Sequence, residues 1–106
     1  MRVYLPTTVE GLRDIVAAGG APPELVRYVA EDESEEAEYA ALMAAADDSA
    51  SLLEEPGRRV VLVGDVEDED GIVALRDVVA VHADVDETGE LAWFATQEIG
   101  TLLDAD

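Results

Sequence analysis

The run Val60-Val61-Leu62-Val63, bounded by Arg58-Arg59 and Gly64, constrains this chain more than any other segment. Side chains along a strand point alternately to its two faces, so an uninterrupted apolar run suits a central strand covered on both sides. The other apolar patterns are arranged around it. Residues 2–6 alternate, with Val3 and Leu5 on one face and Arg2 and Tyr4 on the other, which reads as a short strand that Pro6 places at an edge or ends. Thr7 followed by Glu10 has the form of a capping box. It opens a helix whose apolar residues Val9, Leu12, Ile15 and Val16 recur at helical spacing. Gly19 and Gly20 suit its C-terminal cap, and Pro22-Pro23 forbids continuation.

Leu25 to Ala30 is β-rich and predicts a second strand. Asp32 and Ser34 then offer N-caps for a long helix, with Glu33, Glu35, Glu36 and Glu38 where the helix dipole favours negative charge. Tyr39, Leu42, Met43, Ala46, Ala50 and Leu53 form its expected apolar stripe, and Pro56-Gly57 ends it. Arg58 and Arg59 are placed to offset Glu54 and Glu55 at that end. Residues 65–71 read as an acidic loop, 78–85 as a strand, and 86–89 as a hairpin turn. The segment 90–97 fits either state, but adjacent Trp93 and Phe94 favour a strand paired with 78–85, followed by a short final turn. The expected architecture is one α+β domain over residues 1–106. It has two layers, an approximately five-stranded mixed sheet, two helices, and the order β-α-β-α-β-β-β.

Charge decides which encounters such a domain can have. Twenty-six acidic residues face six basic ones, all arginine, for a formal charge of −20 on 106 residues. Nonspecific nucleic-acid affinity comes from neutralising phosphates with cations, so direct nucleic-acid binding is excluded, and anionic lipid is repelled likewise. A hydrophobic share of 49% is too high for an acidic disordered tail. Much of that share is alanine and valine, which predicts a thin core opposed by self-repulsion. The absence of cysteine excludes disulfides and thiolate metal sites. No run approaches the length of a signal peptide or membrane span, so the expectation is a soluble, cytoplasmic protein.

Few residues suggest chemistry. In the acidic loop, the EF-hand register with Gly71 sixth puts Val66 where the first carboxylate belongs, and the register around Gly89 fails as well. His82, Asp84 and Asp86 share one face if their segment is extended, and one imidazole with two carboxylates could hold a divalent ion. Set against that is a strand end running into a polar turn, with no second histidine to complete the usual ligand sets. Ser34, Ser49 and Ser51 lie in or beside the long helix, without a nucleophile elbow. No glycine-rich phosphate loop is present, and no cofactor is implied. Trp93 and Phe94 read first as core or sheet packing, and second as a binding platform.

Several blocks carry a resemblance: MRVYLPTT at the start, EEAEYAAL (35–42), RRVVLVGDV (58–66), VVAVHADV (78–85) and ELAWFATQEIGTLL (90–103). Together they resemble a family of small acidic actinobacterial proteins classed as a domain of unknown function, across nearly the whole chain. That family usually carries a proline where this chain has Gly100, which implies a strand and then a turn over 90–103. The resemblance implies no activity.

Three functions suit these observations. The leading one is a non-enzymatic domain acting through protein contacts, with a second copy of the chain (a homodimer) or a basic protein as partner. The second is a nucleic-acid mimic that fills a basic protein groove, using the acids of 31–38 and 65–70. The third is a metal-dependent enzyme or sensor built on His82, Asp84 and Asp86.

Overall fold

A computed structural model describes residues 1–53, 57–85 and 89–104. In chain order its elements are β1 (Arg2–Thr7), α1 (Val9–Ala18), β2 (Gly20–Ala21), β3 (Tyr28–Val29), α2 (Glu35–Leu52), β4 (Val60–Asp65), β5 (Val73–Ala74), β6 (Val78–Asp84), β7 (Leu91–Phe94) and α3 (Ile99–Asp104). Short 3-10 turns precede β6 and α3. The main sheet has the order β3-β1-β4-β6-β7, and β2 pairs with β5 in a separate two-stranded ladder. The α+β class is as expected, but every pairing is antiparallel, so the sheet is not mixed.

The layer count also differs from expectation, for the reason contained in the opening run. On β4, Val60 and Leu62 face a core shared with Leu12 and Ile15 of α1 and Leu102 of α3. Val61 and Val63 face the other way, onto Ala41, Ala45 and Ala46 of α2. A strand apolar on both faces needs cover on both, so helices flank the sheet and make three layers rather than two. The α1 side holds the large aliphatic side chains. Each fully buried leucine there contributes about 1.5–3 kcal/mol relative to exposure. The α2 side is thinner, because its helix meets the sheet through alanine.

Local signals explain the element ends. Thr8, not Thr7, caps α1, its hydroxyl accepting from the Gly11 amide at 3.0 Å. Thr7 remains in β1 as a buried residue. Gly19 ends the helix in the left-handed region at φ +86°, which glycine adopts without a Cβ clash. Pro6 sits within β1, one residue before its end and past the two residues that pair with β3, so on that side the strand is locally an edge, as a proline requires. Ser34 caps α2 by accepting from Ala37 at 3.1 Å, whereas Asp32 does not cap the helix but accepts from the Ser34 amide at 2.8 Å in the turn ahead of it. The expected second strand survives only as Tyr28–Val29. Before it, Arg27 donates to the carbonyls of Pro22, Leu25, Glu69 and Gly71, tying this segment to the acidic loop.

The face of α2 is rotated from the expected stripe. Ala41, Ala45, Ala46 and Ser49 are buried, whereas Tyr39 and Ala50 are exposed. Small side chains let the helix axis approach the sheet closely, and that outweighs turning the larger residues inward. The helix ends at Leu52, and Glu54, Glu55 and Pro56 lie outside the described residues. The strand at 91–94 pairs with β6 as expected, and a short helix takes the place of the expected final turn.

Candidate functional site

Helix α2 packs over β3, β1 and β4. On the same face Ala80 and Leu91 join the α2-side core, and beyond them, among the described residues, a groove of about 360 Å³ runs between the helix and β6–β7. Strand alternation supplies its floor. Tyr4, Val63, Ala80 and His82 all point to the α2 side, and Trp93 lies directly across from His82 in the β6–β7 ladder. Tyr39 and Leu42, one helical turn apart, form the opposite wall. Trp93 is 60% exposed and Tyr39 64%, although the chain has only one tryptophan, three tyrosines and one phenylalanine. Phe94, the neighbour of Trp93, faces the other way and packs against the α1-side core. The pair therefore divides: Phe94 is packing, and Trp93 is surface.

One end of the groove is polar. Arg2 reaches Glu38 at 3.3 Å, and both side chains are partly exposed. The same guanidinium lies beside the Tyr4 hydroxyl. Burial pushes the Tyr4 phenol upward in pKa, and the Glu38 charge adds to that. Burial also lowers His82 below its usual 6.5, which favours the neutral imidazole.

The expected metal set is placed differently from how its spacing suggests. His82 and Asp84 do share the α2 face. The Asp84 carboxylate, however, is gripped by Arg59 through Nε to Oδ2 and Nη2 to Oδ1, both at 2.8 Å, and the Arg59 amide adds a third bond at 3.0 Å. This fork holds Asp84 below the usual carboxylate range. Arg58 Nε donates to the Asp84 carbonyl at 2.7 Å. Arg58 and Arg59 thus fasten the end of β6, while the Glu54 and Glu55 that they were expected to offset lie outside the described residues. Asp86 lies outside the described residues. Among the described residues, no three His, Asp or Glu side chains are grouped to hold a metal ion.

A wider depression of about 760 Å³ follows the acidic loop, lined by Asp65, Glu67, Asp68 and Asp77 with Ile72 and Arg76. A third cleft gathers Asp32, Glu33, Glu38 and Asp65 around Met1, whose amino group pairs with Asp65 at 3.1 Å. Among the described residues, no helix is long and apolar enough to cross a membrane.

Residues 1–90 match the model of a family of unknown function, DUF6912. The chain belongs to that family. The DUF6912 match includes Tyr4, Tyr39 and His82 but stops short of β7, so Trp93 and nearly all of the closing block 90–103 lie beyond it. No curated protein and no solved structure matches the chain. Sequence reasoning missed the groove because Trp93 and Tyr39 both read as interior. The period-two alternation that separates Trp93 from Phe94 was the available signal.

Proposed function

We propose that this protein is a non-catalytic interaction domain whose recognition surface is the groove between Tyr39 and Trp93, and that its partner is a separate basic protein. The carrying observation is the exposure of those two aromatics on facing walls of one groove. Leaving large aromatic surface in water is unfavourable, and interface hot spots are enriched in tryptophan and tyrosine. Charge selects the class of partner. Two copies at −20 each repel, whereas a basic surface is drawn in and oriented. A divalent-metal role for His82, Asp84 and Asp86 is not adopted, because Arg59 engages both carboxylate oxygens of Asp84.

A photo-crosslinking amino acid at position 39, with a control at Asp68 in the acidic loop, tests this in cells. Discrete adducts with basic proteins at position 39 and not at 68 are expected. Equal labelling at both positions, no adduct, or an adduct at twice the chain's own mass would each defeat the proposal.

The cleft of Asp32, Glu33, Glu38 and Asp65 favours a second reading, the nucleic-acid mimic, since it brings acids from both expected clusters together. Captured partners would then release DNA as this protein is added. Partners that keep their DNA at saturation leave only the first reading.

A further inference from the structure

Resting on that reading, we infer that the groove recognises an arginine side chain of the partner, its guanidinium stacking on Trp93 and Tyr39 with Glu38 as counter-charge. Three observations converge. Three of the chain's five aromatic residues, Tyr4, Tyr39 and Trp93, line this one groove, and aromatic faces attract cations. Arg2, the sole cation among the described lining residues, is paired with Glu38, and the groove lies in a protein of charge −20 whose field draws cations in. Most directly, a guanidinium already forms part of the groove's wall. Arg2 sits at its polar end, against the Glu38 carboxylate and beside the Tyr4 hydroxyl.

That internal pair is weakly held. At 3.3 Å and with both side chains partly exposed, it is of the class that contributes little to stability, so an incoming arginine can take over Glu38 at small cost. Arginine suits the site better than lysine, because its planar, weakly hydrated group stacks on rings while its fork grips a carboxylate. Arg2 is therefore a built-in competitor for the partner's side chain.

Trp93 is the only tryptophan, so its fluorescence reports the groove directly. The probe is a short peptide of arginines alternating with glycine and serine, titrated at physiological ionic strength beside lysine and citrulline versions. A saturable change with arginine, a several-fold weaker one with lysine and none with neutral citrulline are expected. Tyr39→Ala and Glu38→Gln should each weaken binding roughly fivefold, whereas Glu67→Gln should not. Arg2→Gln should tighten binding more than Arg76→Gln, which makes the same charge change in a different depression. Equal binding of citrulline, equal effects of Glu38→Gln and Glu67→Gln, or equal effects of the two arginine changes would overturn the inference in favour of diffuse polycation attraction. If position 39 still crosslinks to basic proteins while the arginine peptide fails, the interaction surface stands and only the arginine assignment falls.

Discussion

Ser49 has no exposed surface, and its hydroxyl works in both directions. It donates to the Thr7 carbonyl at 2.6 Å and accepts from the Val60 amide at 2.9 Å, joining the facing ends of β1 and β4 from within α2. Ser49→Ala would take away both of these bonds from backbone groups in the interior. A loss of about 1–3 kcal/mol is expected by chemical denaturation, since a hydrogen bond lost in the interior is not made good by water. Asp84 makes a pH-dependent contribution. Its folded pKa lies below 3.8, so its stabilisation is complete above that value and is lost as pH falls through the folded pKa. The stability difference between the native chain and Asp84→Asn should therefore shrink as acid is added below pH 3.8. A difference that stays constant would mean that the Arg59 fork does not bias the carboxylate. Neither role was visible in sequence. A serine in a helix and an aspartate after a histidine acquire meaning only from what lies across from them, forty-two and twenty-five positions away.

At the scale of elements, β1, α1, α2, β4 and β6 were legible from a period, a cap or a β-rich run, whereas β7 fitted either state and rested on the adjacent Trp93 and Phe94. The facing of α2 was not legible. Its apolar residues go nearly all the way round, and the choice of buried side depended on how closely the sheet allowed it to approach. The short β2–β5 ladder was equally hidden, since two-residue strands have no period. That ladder nonetheless constrains the main sheet. A Cβ on Gly64, where the β4–β6 register shifts, would lie 2.6 Å from Cγ1 of the fully buried Val73 on β5. Gly64→Ala should accordingly destabilise by about 1–3 kcal/mol, the usual range for overpacking a filled core. Adding Val73→Ala should recover part of that loss in a double-mutant cycle. Strict additivity of the two changes would show that the contact is not limiting.

For the whole molecule, a Cα radius of gyration of 12.6 Å packs a charge of −20 into a small volume. Exposed like charges at that density oppose folding, and salt screens them. The thermal midpoint should rise with sodium chloride, and each 1 kcal/mol gained should move it by about 4–8 °C. A flat or falling midpoint would mean that the carboxylates are already compensated by local pairing. The sequence alone determined the α+β class, the double-sided central strand and the electrostatic character, because periodicity and net charge are properties of the chain itself. Tertiary structure decided the antiparallel pairing, the third layer and the groove. Those depend on which half of the sheet α2 covers, and that position follows from close alanine packing rather than from any local pattern.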